Sequence, residues 1–255
     1  MFRRVMPRRS RGPHYPLSAA APARSIVTLD TLTASNFYSL AGSSALAGTS
    51  SMTMACVVRA KVSSPLTTDF RFISKTASNG YRHAITSASS GSVQGIAVNG
   101  TPSVISETVA VTGIVAGSFY TMAVRLGSSL LDVFWGGAQV GAPGATCVGY
   151  TPTTSAQTLE VGKVASGSSN WELAAVVIAE STAVSDLDIA AWHAQVAAAN
   201  TWTFPGGGTT HVWYAGDADA GGGVAAATWV DQVAAVTLSK AASPTINTVS
   251  SPVFA

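Results

Sequence analysis

FYTMAVRLGSSLLDVFW, residues 119–135, decides the fold. Tyr120, Met122, Val124 and Leu126 alternate with Thr121, Ala123 and Arg125, the two-residue period of a strand. Residues 127–129 turn the chain, 130–135 continue as a second strand, and Gly136 and Gly137 turn it again. A small-residue loop then leads to an expected strand at 158–164. A loop, a long apolar strand at 171–180 and one capped helix at 185–200 complete the series. That order is the second half of a β-sandwich followed by a helical clip.

The same signals run upstream. Residues 51–62 form the clearest strand. Met52, Met54, Cys56, Val58, Ala60 and Val62 point one way, and Thr53, Ala55, Val57, Arg59 and Lys61 the other. This predicts a core face and a more polar face. Short strands are expected at 25–29, 37–40, 70–74, 81–86, 93–98 and 104–111, with Asn79-Gly80 and Asn99-Gly100 supplying the positive φ of tight hairpins. Strands at intervals of ~8–12 residues, with turn residues between them, make an all-β sandwich or barrel.

The helix carries its own start signals. Ser185 is the N-cap with Asp188 at N3, and Val184 and Ile189 hold the hydrophobic-staple positions. Asp186 and Asp188 complement the positive end of the helix dipole. Ile189, Trp192 and Val196 make one narrow apolar face, suited to a helix lying on a sheet. After Trp202 the composition shifts. Residues 205–208 break the pattern, and 211–255 carry expected strands at 212–214, 228–230 and 236–239, a Gly-rich turn and a Pro-marked tail. The organisation read from this is a basic extended arm (1–25), a sandwich with its helix (26–203) and a β-rich extension (204–255). The extension is a small subdomain, extra strands on the sandwich, or an arm exchanged with a neighbour.

Only 10% of the 255 residues are charged, against a usual ~25%. A surface of small uncharged residues suits packing against copies of the same chain or a larger assembly; an alanine-rich proteome gives the same composition. The net charge of +2 is unevenly spread. Arg3, Arg4, Arg8, Arg9, Arg11 and Arg24 are six of the fourteen basic residues, so the rest is slightly acidic. The arm reads as an electrostatic tether to nucleic acid or an acidic neighbour, or as a solvated tail. Cys56 and Cys147 fit one bridge or two buried thiols, and the frequent burial of unpaired cysteine favours thiols. No apolar run approaches the ~18 residues of a membrane span. The arginines at the start are followed by no apolar stretch of a signal peptide. These readings place the chain in the cytoplasm of the cell that makes it, without membrane insertion.

The ordered series Tyr38-Ser-Leu-Ala-Gly-Ser-Ser-Ala-Leu, strand 52–59, 119–126, Leu130-Leu-Asp-Val-Phe-Trp-Gly-Gly, Leu159-Glu-Val-Gly, Asn170-Trp-Glu-Leu-Ala-Ala-Val-Val-Ile-Ala-Glu and Val184-Ser-Asp-Leu-Asp-Ile-Ala-Ala-Trp resembles the concanavalin A-like lectin/glucanase superfamily, in particular its laminin-G-like jelly rolls. The resemblance covers about Phe37 to Trp202. Segments beginning at Trp213, Ala227 and Leu238 look like the opening strands of such a jelly roll, of a kind found in phage and bacterial surface proteins. The resemblance implies an all-β jelly-roll sandwich with one peripheral helix. It implies no activity, because the fold hosts many.

Glucanases of that superfamily cluster carboxylates on one strand, as glycoside hydrolysis requires. Here Glu107, Glu160, Glu172 and Glu180 form no Glu-x-Asp-x-x-Glu arrangement. His14, His83, His193 and His211 have no neighbouring nucleophile motif, and no Gly-x-Ser-x-Gly elbow occurs. The expectation is a non-enzyme without cofactor. Calcium, bound by relatives at loop ends, would fall to Asp217, Asp219 and Asp231; the competing role of these residues is turn formation. Trp135, Trp171, Trp213 and Tyr81 are the aromatic candidates for stacking on a sugar, and core packing competes for each. The leading expectation is a structural protein of a virion, a bacteriophage capsid-decoration or tail/fibre component, associating with itself and other virion proteins. A carbohydrate-binding module for surface glycans is the alternative. A coat protein contacting genome through Arg3, Arg4, Arg8, Arg9 and Arg11 is the third.

Overall fold

A computed structural model of the protein describes residues 25–43, 51–63, 70–76, 82–88, 92–99, 103–127, 130–146, 157–164, 169–180, 182–198, 203–205, 210–218, 220–221, 225–230, 232, 236–240, 242 and 244–255. The arginine arm, Tyr81, Cys147, Asp219 and Asp231 lie outside the described residues.

The first strands are β1 (Ser25–Asp30), β2 (Tyr38–Ser43), β3 (Met52–Ala60), β4 (Phe70–Thr76), β5 (Arg82–Ala88), β6 (Ser92–Asn99), β7 (Ser103–Ala110) and β8 (Phe119–Leu126). Then come β9 (Leu130–Trp135), β10 (Ala138–Thr146), β11 (Gln157–Val164), β12 (Trp171–Glu180) and the helix α1 (Asp186–Ala198). The rest are β13 (Thr210–Tyr214), β14 (Thr228–Val230), β15 (Thr237–Lys240) and β16 (Thr245–Ser250). They form two antiparallel sheets. The first runs β10-β9-β8-β3-β12-β1-β16, with β13 also on β12, and the second runs β14-β15-β2-β11-β4-β5-β6-β7. The fold is an all-β jelly-roll sandwich with one helix on its outside.

Alternation places the cores. Met54, Cys56 and Val58 of β3, with Tyr120, Met122 and Val124 of β8, fill the space between the sheets against Phe70, Phe72, Leu159 and Val161. The opposite face of the first sheet is also buried. Ala55, Val57, Ala123, Phe134, Ala175 and Val177 lie under Ile189, Trp192 and Val196 of α1 and under Phe204. The more polar face expected for β3 is therefore corrected. A third layer covers it, which is why small residues occur there and Arg59 is paired with Glu172.

α1 begins as its sequence demands. The Ser185 Oγ accepts from the Asp188 amide at 3.2 Å and donates to Asp188 Oδ2 at 2.7 Å. Val184 and Ile189 are both buried.

Two strands were hidden from the periodicity. β10 occupies the stretch whose small residues predict a loop. It pairs with β9 in spite of a register shift between Val140 and Ala145, where Gly141 has φ 86°. β16 was read as a tail, yet all six of its residues pair with β1. The segment after the helix thus supplies extra strands to both sheets of its own chain: β13 on β12, β15 on β2 and β16 on β1. Beyond β16 the chain folds back at Ser251 (φ 53°). Val253 O accepts from the Phe119 amide at 2.7 Å, Ala255 N donates to Phe119 O at 3.2 Å, and Phe254 stacks on Phe119.

Candidate functional site

The polar clusters on the outer face of the first sheet come first, because they decide which groups are free for chemistry. Glu172, 3% exposed, accepts from Thr28 Oγ1 (2.7 Å), Arg59 Nη1 (2.9 Å) and Asn247 Nδ2 (3.2 Å). Arg59 also donates its Nε to Gly117 O at 3.1 Å. Asp132, 3% exposed, accepts from Arg125 Nε and Nη2 and from Gln139 Nε2. Arg125 reaches on to Val184 O and Asp186. Burial works against the charge of Arg125, and the hydrogen bonds and charges of Asp132 and Asp186 outweigh it and hold its pKa above the ordinary value. Gly144 completes the pocket: a methyl there would collide with Asp132 Oδ1 and Leu131 O. Both clusters tie strands together, and every oxygen of these two carboxylates accepts at least one hydrogen bond.

On the second sheet Glu160 is held by Lys163 at 2.6 Å, and Lys163 lies 4.8 Å from the Phe37 ring centre. Buried Glu172 and Asp132 could not serve as an acid and base without breaking these pairs.

Of the aromatic candidates, Trp171 and Trp213 are corrected. Both are fully buried. Trp171 lies opposite Ala60 on β3 and packs edge-on to Phe72, Tyr120 and Trp135. Trp213 faces the space between the sheets and donates Nε1 to Val236 O at 3.2 Å. Neither presents a ring to solvent. Trp135 differs. It ends β9 at the Gly136-Gly137 turn and stays partly exposed, with one ring face stacked on Tyr120 at 4.8 Å and 26°.

The surroundings of Trp135 are fixed by hydrogen bonds. Tyr120 Oη accepts from the Val115 amide at 2.8 Å, and Gly136 N donates to Thr121 O at 3.0 Å. Gly117 N donates to Ala60 O, Ser118 O accepts from Ala60 N, and Ser63 Oγ accepts from Ala116 N. These bonds hold segment 111–118 against the end of β3. Val62, Val115 and Val253, on segments pinned to this end of the sandwich, are 38%, 53% and 61% exposed. The rim at the end of β9 is thus fixed backbone and one partly exposed indole on a tyrosine floor. Such a rim can take the flat apolar face of an uncharged ligand. It was missed as a unit because 60–63, 111–118, 135–137 and 253 are far apart in sequence.

The calcium residues are not assembled. Asp217 is exposed on the 3-10 turn Ala215–Ala218, and no group of three His, Cys, Asp or Glu is placed to hold a metal ion among the described residues. Burial, with the nearby Asp217 carboxylate, pushes the Tyr214 phenol up to about 12. Cys56 is buried as a free thiol, and burial pushes its pKa up. Among the described residues, no helix is long and apolar enough to cross a membrane.

His193 of α1 sits where Gly137 leaves room, for a Cβ on Gly137 would lie 2.6 Å from His193 Cβ. Its Nδ1 is 2.8 Å from Thr121 Oγ1, and burial lowers its pKa below the ordinary 6.5. The fold therefore favours the neutral ring. Its contribution is fully present above the unfolded value and is lost as pH falls through the lowered one. Thermal melts should show the midpoint falling between about pH 7.5 and pH 5, with a shallower fall in His193→Gln.

No known family's sequence model matches the chain, and no curated protein matches it. Among solved structures it is similar to the botulinum neurotoxin serotype G binding domain, with a TM-score of 0.52 and 9% identity over 71% of this chain and 48% of that one. The chain thus spans about half the length of the neurotoxin domain. It is also similar to the native heptameric SAP-like pentraxin from Limulus polyphemus (TM-score 0.46, 14% identity, 65% of this chain and 80% of that one). A third is the binding domain of botulinum neurotoxin DC in complex with SialylT (TM-score 0.45, 12% identity, 69% and 47%). At such identities the likeness to the serotype G domain shows a shared β-sandwich fold.

Proposed function

We propose that the chain is a non-enzymatic recognition module that holds an uncharged sugar at the rim carrying Trp135. The observation behind this reading is the partly exposed indole stacked on buried Tyr120, whose hydroxyl fixes the neighbouring Val115 backbone. A ring braced from behind loses little freedom when a ligand stacks on it, and its exposed part offers apolar area to the flat face of a sugar. The commitment of Glu172 and Asp132 to buried ion pairs supports recognition over hydrolysis. On a glycan array followed by titration calorimetry, the wild type should show saturable binding. Trp135→Ala should weaken it at least ~10-fold, about 1.4 kcal/mol, with an unchanged circular dichroism spectrum. A folded Trp135→Ala that binds equally well removes the rim from the reading.

A second reading, a structural component of a larger particle such as a bacteriophage virion, is favoured by one observation: residues 241–255 carry no charged side chain. It predicts co-sedimentation with particles, and a chain that is never particle-associated would end it.

A further inference from the structure

Among the described residues, four strands border the two sheets: β10 and β16 in the first, β14 and β7 in the second. An open edge displays unpaired N–H and C=O groups, and natural sheets blunt it by brevity, bulges, proline, charge or a cover. Three of these edges are blunted. β14 is three residues long. β10 breaks register around Gly141 and contains Pro143. β7 lies against β10, for a methyl on Gly141 would fall 2.6 Å from Glu107 Oε1 and 3.1 Å from Val109 Cγ2. Even the short β13 is met from outside, where Gln232 N donates to Val212 O at 2.8 Å.

Among the described residues, β16 has none of these devices. Its six residues, TINTVS, contain no charge, glycine or proline, and all six pair with β1 in unbroken register. Among the described residues, no strand pairs with its other side. Pro244 and Pro252 stand just outside its ends and confine any pairing to this segment.

We infer that this edge takes β16 of a second copy of the chain, antiparallel about a two-fold axis normal to the sheet, so that the first sheet runs through both copies. Such an axis keeps each face on its own side. Ile246, Thr248 and Ser250 then meet only one another across the join, and Thr245, Asn247 and Val249 likewise. In either register every cross-strand pair is uncharged, so no like charges oppose the contact. The strand is also already straightened by six pairs to β1, so little ordering cost remains for the join. The dimer carries two Trp135 rims on one rigid sheet, so a surface bearing repeated ligands would be held by both at once.

Thr248 is exposed and outside both cores, which makes it the site for the test. In sedimentation velocity over a concentration series, the full chain should be a dimer. Thr248→Lys and Thr248→Glu should each be monomers that melt where the dilute, monomeric wild type melts, and mixing the two should restore a dimer. Hydrogen exchange on the wild type needs no substitution: alternate amides of 245–250 should lose protection on dilution. A wild type that is monomeric at every concentration overturns the proposal, as does a dimer indifferent to Thr248→Lys. Protection in a monomer that ignores concentration assigns the edge to another segment of the same chain and overturns it too. None of these outcomes depends on sugar binding at Trp135.

Discussion

Replacing Asp132 by alanine is expected to cost about 3–5 kcal/mol of stability, read as a lower midpoint in urea at unchanged slope. The side chain of Asp132 is 4% exposed and that of its partner Arg125 is 17% exposed. Two of Arg125's nitrogens are spent on Asp132, while a third reaches Val184 O and Asp186 at the start of α1. Without Asp132 the guanidinium stays over the Phe134 ring, 5.0 Å from its centre, facing a buried gap. Gln139 also loses its acceptor. Arg125 keeps its ion pair with Asp186, so the penalty belongs to its Nε and Nη2, left facing a buried gap, more than to the lost bonds themselves. The double replacement Arg125→Met with Asp132→Leu should therefore cost less than Asp132→Ala alone. A single variant within about 0.5 kcal/mol of wild type, the range of ordinary surface changes, would overturn this account.

Trp192→Ala should cost a comparable amount, about 3–5 kcal/mol. Trp192 is 1% exposed and joins the helix to the sheet beneath it, packing edge-on to Phe204 at 5.1 Å. Its removal empties the centre of the helix–sheet contact. Trp192→Phe should be far milder, because the indole Nε1 has no hydrogen-bond partner among the described residues. Only volume is lost in that exchange, and no polar contact. Equilibrium unfolding of the two variants measures the difference. Equal losses would mean that the N–H matters in a way its surroundings do not explain.

The strands and the helix were legible because their causes are local. Alternation marks β3, β8 and β9, and Ser185, Asp188, Val184 and Ile189 mark the helix start before any packing is known. Three features were not legible, each for a physical reason. β10 is interrupted by Gly141 and Pro143, so its two-residue period fails where the strand bends. β16 is too polar to show an apolar period, since its strand character comes from pairing with β1. The second face of β3 looked polar because small residues such as Thr53 and Ala55 make room for a covering layer, and sequence alone does not distinguish small-and-covered from small-and-solvated. The same limit applies to the aromatic candidates. Trp135, Trp171 and Trp213 each lie within or at the end of an expected strand, and only the sandwich decides that one ring stays partly exposed and two are enclosed. The rim at Trp135 needed the meeting of distant segments. Its single local hint was a tryptophan placed before two glycines.

The pairing of Ser25 with Ser250, and of each residue between them down to Asp30 with Thr245, bears on how the molecule forms. During synthesis β1 emerges first among the described strands and must wait for β16 to leave the ribosome. Until then, Thr28 and Glu172 lack the Asn247 that completes their cluster. Contacts this remote in sequence slow folding, because loop-closure entropy is lost before they form. The nascent protein therefore passes through a stage in which the β1 border of the first sheet is bare, and chaperone holding at that stage, or trapping by a neighbouring nascent chain, would act on β1.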